Sequence, residues 1–209
     1  MKSILFDLDG TIIDSTDAIL ESFAISCEQA KIKDCNLDLV ESLIGYPLYD
    51  MFEKINVPTD KLDACVLYYK EHYRKISHQK TTLLTNAKQA LKLAKSFAKV
   101  CAVTTKIGQG TIPLLEKLEI WKYFDDIVGF DDVQKPKPDK EAMLVAMRRL
   151  NSDKEKTWMI GDTTMDMESA KSANIQGIGV LSGYQDEKSL SAFTDIIVKD
   201  SLEAVTLIR

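Results

Sequence analysis

The chain has 209 residues, 28% of them charged, and a formal net charge of -5, so it is long enough to bury a core and has no broad basic surface for nucleic acid. No apolar stretch approaches the roughly 20 residues that a membrane span needs, and acidic residues interrupt the apolar N-terminal run, so we expect neither a membrane partner nor a signal peptide. The four cysteines form no CxxC pair, which favours reduced thiols and a cytoplasmic protein and argues against a zinc site.

Short, continuous apolar runs recur along the chain, as is typical of buried parallel strands. They predict six strands, at residues 3–6, 99–104, 126–128, 157–160, 177–181 and 195–198. Apolar residues at helical spacing predict the helices between and after them, at residues 86–96, 111–118, 139–150, 164–173 and 201–208. Pro113 is the third residue of the predicted helix 111–118, and this start places it in the first turn, where proline is best tolerated. Alternating strands and helices indicate an α/β fold with a doubly wound parallel sheet.

The region after the first strand has a different pattern. Between residues 15 and 82, helical segments follow one another without a convincing strand, and turn sequences separate them at Gly45-Tyr46-Pro47 and Asn56-Val57-Pro58. A lone first strand would have no sheet to join if the two parts were independent. We therefore predict a core formed by residues 1–14 and 83–209, with an all-helical domain, 15–82, inserted after the first strand.

Polar side chains follow several of the predicted strands. In an open α/β sheet, ligands bind outside the carboxyl ends of the strands, so these residues are expected to share one crevice. They are Asp7, Asp9, Gly10 and Thr11 after the first strand; Thr104, Thr105 and Lys106 after the second; Lys135 and Lys137 after the third; and Asp162 and Asp166 after the fourth.

Carboxylates that converge in one crevice need a positive counter-charge, or one of them must hold a proton. Mg²⁺ binds oxygen ligands, commonly one or two carboxylates together with a substrate phosphate, and Asp7 and Asp162 are the candidate ligands. A lysine and a hydroxyl donor would complete what phosphoryl transfer requires, and a carboxylate can act as its nucleophile.

Four segments in this order, FDLDGT, VTTK, KPKP and GDTTMD, resemble the motifs of the haloacid dehalogenase superfamily, in its phosphatase branch. The resemblance covers the whole chain, and the inserted helices are similar to the small cap domain of that family. Residues 44–48 and the YFDDIVG segment from Tyr123 look like those of phosphoglycolate phosphatases and bacterial pyrophosphatases.

The resemblance implies a role for each catalytic residue. Asp7 would attack phosphorus and become an aspartyl phosphate. Asp9 would protonate the leaving-group oxygen and then activate the hydrolytic water. Lys135, the first lysine of KPxP, would stabilise Asp7 and the transferred phosphoryl group, and the motif register favours it over Lys137.

The same resemblance implies how the phosphoryl group and the metal would be held. Thr104 and the backbone N–H of Thr105 would bind phosphoryl oxygens, and Gly10 would let the chain turn beneath the phosphate. The metal ligands would be the side chains of Asp7 and Asp162 and the backbone carbonyl of Asp9. Asp166 would lie behind these ligands or hold a water molecule on the ion. Apart from the resemblance, we interpret Lys106 as a surface residue near the mouth rather than as a catalyst.

The sequence of the cap domain says less about which residues contact the substrate. A cap on two linkers, near residues 15 and 82, suggests opening and closing that excludes water from the site. Four of its residues either reach the substrate or lie on solvated helix faces: Tyr46, His72, Arg74 and His78.

The resulting hypothesis is a Mg²⁺-dependent phosphoric monoester hydrolase, monomeric or homodimeric, that acts on a small phosphorylated metabolite such as phosphoglycolate or on pyrophosphate. A phosphomutase of the β-phosphoglucomutase type would use the same core, and a catalytically silent phosphate-binding regulatory protein is a further alternative. Dehalogenase chemistry is disfavoured because it does not use an acid/base at Asp9. Phosphonate hydrolysis is disfavoured because the cap offers no convincing Schiff-base lysine.

Overall fold

A computed structural model describes residues 1–209 of the chain. The residues fall into two compact units, one formed by Met1–Asp14 and Leu83–Arg209 and the other by Ser15–Thr82. None of the helices combines the length and the apolar character needed to cross a membrane.

The first unit is built on a six-stranded parallel sheet, which confirms the predicted fold class. The strands lie in the order β5-β4-β1-β6-β7-β8, so the first strand of the chain is at the centre, between β4 and β6. Their bounds are Lys2–Phe6 (β1), Ala98–Val103 (β4), Asp126–Val128 (β5), Thr157–Gly161 (β6), Gln176–Val180 (β7) and Ile197–Val198 (β8). A separate two-stranded sheet is formed by Ile13–Asp14 (β2) and Thr82–Leu83 (β3).

Helices cover both faces of the six-stranded sheet. Successive side chains of a strand point to opposite faces, and in β1 the side chains of Ile4 and Phe6 belong to one apolar cluster while that of Leu5 belongs to the other. The first cluster includes residues of Ala87–Lys95 (α5), Gly108–Lys117 (α6) and Ser201–Ile208 (α10). The second includes residues of Glu141–Leu150 (α7), Thr164–Ala173 (α8) and Glu187–Leu190 (α9). Because β1 is buried on both faces, its carboxyl end is held on a rigid support.

The second unit is all-helical. Its helices are Thr16–Gln29 (α1), Leu37–Ser42 (α2), Leu48–Lys54 (α3) and Leu62–Lys80 (α4). An aromatic cluster forms its core, with the ring of Phe23 4.4 Å from that of Phe52 and 5.0 Å from that of Tyr69, measured between centroids. The predicted turns contain Gly45 and Asn56, whose φ angles are 109° and 62°. These positive angles explain why a glycine and an asparagine separate the helices.

The structure differs from the sequence prediction at three places. Helix α6 begins at Gly108 rather than at 111, so Pro113 lies inside the helix and not in its first turn. The backbone N–H of Gly108 donates to Asp131 Oδ1 at 2.6 Å, and this side-chain contact from a distant loop fixes a start that local propensity does not indicate. The short helix α9 and the small β2–β3 sheet were not predicted, because each is too short to give a periodic signal.

Candidate active site

Three neighbouring strands end at the same edge of the sheet and present polar residues there. Asp7 follows β1, Thr104 follows β4, and Asp162 follows β6. All three are buried. The backbone continues the sheet pairing beyond the strands, since Asp7 N–H donates to Ile160 O at 2.9 Å and Thr104 N–H donates to Val128 O at 2.9 Å. The positions of these side chains are therefore set by the sheet itself rather than by a free loop.

The lysine that contacts Asp7 is Lys137. Its Nζ donates to Asp7 Oδ1 at 2.6 Å, to Asp166 Oδ1 at 2.6 Å and to Val103 O at 3.1 Å. The side chain of Lys137 is 3% exposed, so these contacts are shielded from water. The prediction that Lys135 stabilises Asp7 is therefore wrong: Lys135 is exposed, and Lys137 occupies the position beside the carboxylate.

The local backbone explains why Lys137, and not Lys135, lies beside Asp7. Glu141 accepts hydrogen bonds from the backbone N–H groups of Gln134, at 3.0 Å, and Lys135, at 2.9 Å, which holds this segment at the start of α7. The chain then turns, with Asp139 N–H donating to Pro136 O at 3.0 Å. Both lysines fit the KPKP motif, so only the tertiary contact of Glu141 and the turn after Pro136 distinguish them.

Asp162 is completely buried and held by two donors. Its Oδ1 accepts from Thr11 Oγ1 at 2.9 Å, and its Oδ2 accepts from Tyr184 N–H at 3.0 Å. Two glycines give the carboxylate its space, because a Cβ would lie 2.3 Å from Oδ2 at Gly10 and 2.0 Å from Oδ2 at Gly183. Thr11 was expected at this crevice without a stated role, and the 182–184 segment was not predicted to belong to the site.

Gly10 has a different role from the one predicted. Its N–H donates to Ile13 O at 2.9 Å and its carbonyl accepts from Ser182 Oγ at 2.9 Å, so both backbone groups are used inside the protein. Its φ angle is +84°, which favours glycine, and its missing side chain leaves room for Asp162. The structure therefore assigns Gly10 to the shape of the Asp162 pocket and not to contact with phosphate.

Asp166 lies at the N-terminus of α8 and is completely buried. Its Oδ2 accepts from the hydroxyl of Thr163 at 2.6 Å and from the backbone N–H of Thr163 at 3.1 Å, in a capping box. Its Oδ1 accepts from Lys137. Because both oxygens are engaged by protein donors, Asp166 fits its predicted place behind the metal ligands better than a place among them.

A second ion pair lies beside the first. Lys106 Nζ is 3.2 Å from Asp9 Oδ2, and the two side chains are 15% and 9% exposed. Lys106 was interpreted from the sequence as a surface residue near the mouth, and this interpretation is wrong. Its place after a strand end put Lys106 among the residues expected at the crevice, but nothing in the sequence indicated that its side chain would pair with Asp9.

Hydrogen-bond donors for an anion lie next to this pair. Thr104 Oγ1 accepts from Lys106 N–H at 3.1 Å, and its own hydroxyl hydrogen is not used in that bond. The backbone N–H of Thr105 forms no hydrogen bond within the protein. Thr104 and Thr105 therefore both have a donor available for a ligand at the carboxyl end of β4, and their binding of phosphoryl oxygens stays a prediction.

Burial and mutual repulsion shift the titration of the acidic residues. Burial raises the pKa of Asp7 from 3.8 to about 7 against the opposing charge of Lys137, and Asp166 and Asp9 raise it further. Burial and the charges of Asp7 and Asp166 raise the pKa of Asp162 well above its usual value. Burial lowers the pKa of Lys137, but Asp166 and Asp7 outweigh this effect and raise it above its usual value. Lys137 is therefore a permanent cation, and the carboxylates compete for it.

The acidic residues fit a divalent metal ion. Asp7, Asp162 and Asp166 each place a carboxylate oxygen within 4.8 Å of the others, and all three are buried. The ammonium of Lys137 contacts two of these three carboxylates, those of Asp7 and Asp166, so the cluster carries an excess of two negative charges when all three are ionised. A divalent cation would neutralise this excess, and carboxylate oxygens suit a hard cation.

A parallel α/β sheet with carboxylates and a buried lysine at its carboxyl edge is an arrangement suited to hydrolysis assisted by a divalent metal ion. The chain belongs to the haloacid dehalogenase-like hydrolase family, whose pattern it matches over residues 4–180. This match confirms the family predicted from the sequence motifs. Hydrolases of this family generally use a divalent metal ion, in agreement with the acidic cluster.

Individual relatives support the same family. The chain is 31% identical to "Probable phosphatase IndB" of Dickeya dadantii, over 97% of this chain and 90% of that protein. It is 30% identical to pyrophosphatase PpaX of Oceanobacillus iheyensis, over 100% of this chain and 97% of that protein. A solved haloacid dehalogenase-like family hydrolase from Streptococcus pneumoniae shares the fold with a TM-score of 0.89 at 24% identity, covering 100% of this chain and 99% of the other.

Proposed function

We propose that this protein is a Mg²⁺-dependent phosphatase that hydrolyses a small phosphomonoester or a diphosphate through an aspartyl-phosphate intermediate. The observation that carries the proposal is the contact of Lys137 Nζ with Asp7 Oδ1 at 2.6 Å, at the buried carboxyl end of the central strand. A carboxylate held in this way is fixed in position for attack, and the positive charge of Lys137 favours its ionised, nucleophilic form against the opposing effect of burial. The phosphatase and pyrophosphatase names of the relatives support the same reaction class.

Asp7 acts first in the proposed mechanism. One of its oxygens attacks phosphorus, the bond to the leaving-group oxygen breaks, and the phosphoryl group is transferred to Asp7. The hydroxyl of Thr104 and the N–H of Thr105 donate to phosphoryl oxygens, and Lys137 offsets the negative charge beside Asp7. These donors are fixed before the substrate binds, so they need little reorganisation during the reaction.

Asp9 handles the protons in both halves of the reaction. It gives a proton to the leaving-group oxygen in the first step and takes one from the water that attacks the aspartyl phosphate in the second. Its position two residues after Asp7 suits this task, because both side chains belong to the same strand end. The products are the alcohol, or phosphate in the case of a diphosphate, and inorganic phosphate.

The metal ion would be held by the side chains of Asp7 and Asp162 and by the backbone carbonyl of Asp9. Bound there, Mg²⁺ would supply positive charge for the transferred phosphoryl group. The protein supports its ligands with Thr11 and the N–H of Tyr184, which fix the Asp162 carboxylate. Asp166 keeps Lys137 in place through Oδ1, so the lysine is shared by the nucleophile and a residue behind the metal site.

We assign the role of a cap to the all-helical unit, Ser15–Thr82. Within this unit His72 already has partners, since its Nδ1 lies 3.2 Å from Ser22 Oγ and its Nε2 lies 3.7 Å from Glu21 Oε1. Tyr46 lies under the ammonium of Lys54, 4.8 Å from the ring centroid. These contacts favour a structural role for His72 and Tyr46. For Arg74 and His78, contact with the substrate stays open.

A metabolite panel tests the proposed function. The purified protein is expected to release phosphate from p-nitrophenyl phosphate and from at least one of phosphoglycolate and pyrophosphate in the presence of Mg²⁺, and EDTA should stop the release. Isomerisation of sugar phosphates is scored in the same panel, with β-glucose 1-phosphate as the probe. Absence of phosphate release from every compound would overturn the proposal, and isomerisation faster than phosphate release would establish the mutase alternative.

The raised pKa values give a pH dependence for metal binding. Without metal, the folded protein keeps a proton on Asp7 between pH 3.8 and about 7 that the unfolded chain has lost, so the free energy of unfolding falls as pH rises through this window. Mg²⁺ must displace that proton, so its binding strengthens over the same window. We expect Mg²⁺ to raise the melting temperature more at pH 8 than at pH 6.

The measurement is thermal unfolding at both pH values with EDTA or with Mg²⁺. Asp162→Asn should lose most of the increase at pH 8, whereas Asp153→Asn, which changes an exposed aspartate, should keep it. An equal increase at both pH values, or a larger one at pH 6, would contradict the assignment of Asp7 and Asp162 as metal ligands.

A further inference from the structure

We propose that Lys106 is a specificity residue that contacts an anionic group of the substrate on the leaving-group side of the scissile bond. The substrate class is then a phosphate ester or anhydride whose leaving group itself carries a negative charge close to the bridging oxygen. This inference rests on the proposed phosphatase function and adds a residue and a substrate preference to it.

The first observation is the position of the ammonium group. Lys106 Nζ lies 3.2 Å from Asp9 Oδ2. In the proposed reaction Asp9 forms a hydrogen bond to the leaving-group oxygen, so the ammonium lies within about two hydrogen-bond lengths, roughly 6 Å, of that oxygen. A carboxylate or phosphate one or two bonds beyond the leaving oxygen falls within reach of Nζ. A longer or uncharged leaving group offers no partner there.

The second observation is that the backbone of Lys106 is held at both ends. Its N–H donates to Thr104 Oγ1 at 3.1 Å, and its carbonyl accepts from Phe130 N–H at 2.8 Å. The residue therefore connects the loop after β4, which carries Thr104, to the loop after β5. A lysine anchored in this way presents its ammonium from a fixed backbone, so ligand binding costs less loop-ordering entropy than it would on a mobile loop.

The third observation concerns charge. The side chain of Lys106 is only 15% exposed and that of Asp9 only 9% exposed, so water screens the pair weakly. Lys137 is engaged by Asp7 and Asp166, which makes Lys106 the lysine on the Asp9 side of the site. Without it, the negative charge of the leaving group and that of Asp9, once Asp9 has given up its proton, would repel each other with no lysine beside them.

The test compares substrates that differ only in the charge of the leaving group. In 2-phosphoglycolate and 2-hydroxyethyl phosphate a carboxylate replaces a hydroxymethyl group, and pyrophosphate provides a phosphate as the leaving group. Lys106→Met removes the ammonium and keeps much of the apolar stem. Lys140→Met, which removes the same charge from an exposed lysine after the KPKP segment, controls for long-range electrostatics.

We expect Lys106→Met to lower kcat/KM by about 10- to 100-fold for the anionic substrate that the wild type prefers, mostly through KM, as loss of a charge-assisted hydrogen bond would. The loss should be less than about 3-fold for 2-hydroxyethyl phosphate, and Lys140→Met should change neither value by more than about 2-fold. Whether phosphoglycolate or pyrophosphate shows the selective loss identifies the anion that Lys106 accepts.

The remaining outcomes are distinct. If Lys106→Met lowers kcat equally for charged and uncharged leaving groups, Lys106 only positions Asp9, and the specificity proposal is overturned while the phosphatase function stands. An unchanged kcat/KM for all substrates overturns it as well. A wild type that hydrolyses none of these compounds, nor p-nitrophenyl phosphate, overturns the proposed function and this inference with it.

Discussion

Replacing Asp7 by asparagine should reduce phosphate release by at least about 10⁴-fold, within the range measured when an enzyme loses its nucleophile. The amide has the size of the carboxylate but is a far weaker nucleophile, and it offers a poorer ligand to a divalent cation. Steady-state release from the preferred substrate at saturating Mg²⁺ measures the effect. Mass spectrometry must confirm that residue 7 has not deamidated.

The same variant separates loss of chemistry from loss of folding. Burial raises the pKa of Asp7, so the ionised carboxylate is disfavoured in the metal-free fold. Lys137 retains Asp166 and Val103 O as partners when Asp7 is changed. We therefore expect Asp7→Asn in EDTA to melt at or above the wild-type temperature. Wild-type turnover by this variant would refute the nucleophile assignment, and a lower melting temperature would refute the account of the buried charges.

Replacing Lys137 by methionine should have the second largest effect. The change leaves two buried carboxylates, Asp7 and Asp166, without their cation, and removing one partner from a buried ion pair destabilises proteins by about 3–5 kcal/mol. At low pH, protonation of one carboxylate will relieve part of this destabilisation. We expect phosphate release to fall by at least about 10²-fold, because Asp7 and the transferred phosphoryl group lose the positive charge of the Lys137 ammonium.

Lys135→Met is the matched control. The side chain of Lys135 is exposed, and its backbone N–H donates to Glu141. Its replacement should change the free energy of unfolding by less than about 0.5 kcal/mol and leave turnover nearly unchanged. Urea unfolding and turnover of the two variants measure the contrast. The opposite result, loss of activity with Lys135→Met alone, would restore the assignment made from the motif register.

The sequence was sufficient to predict the sheet and the residues at its edge. Continuous apolar runs mark buried strands, and in a parallel sheet their carboxyl ends meet, so Asp7, Asp162 and Asp166 were expected at one place. The structure brings their carboxylates within 4.8 Å of one another. This part of the site follows from strand order and needs no knowledge of side-chain packing.

The two lysines could not be assigned in the same way. Lys135 and Lys137 have the same chemistry and nearly the same neighbours in sequence, and the contact of Glu141 with the backbone selects the one that points inward. Lys106 was misjudged because its orientation depends on Thr104 and Phe130, which hold its backbone from two different loops. Such tertiary hydrogen bonds leave no periodic pattern in a sequence.

Gly10 shows a further limit of prediction from the sequence. A glycine after two aspartates indicates a tight turn, and its φ angle of +84° agrees with that expectation. Which group needs the space is a tertiary fact: it is the carboxylate of Asp162, 152 residues away in the chain, and not the phosphate. The conformational need was readable from the sequence, whereas the neighbour that creates it was not.

Detection of a phosphoryl group on Asp7 tests the proposed mechanism most directly. The enzyme is mixed with its preferred substrate and Mg²⁺, quenched during turnover, and reduced with borohydride, which converts an aspartyl phosphate into homoserine. Peptide mass spectrometry should then find homoserine at position 7 and at no other aspartate, and no homoserine when the substrate is omitted. Recovery of only aspartate at position 7, from enzyme that is releasing phosphate under conditions where a known acyl phosphate is reduced, would contradict transfer through Asp7.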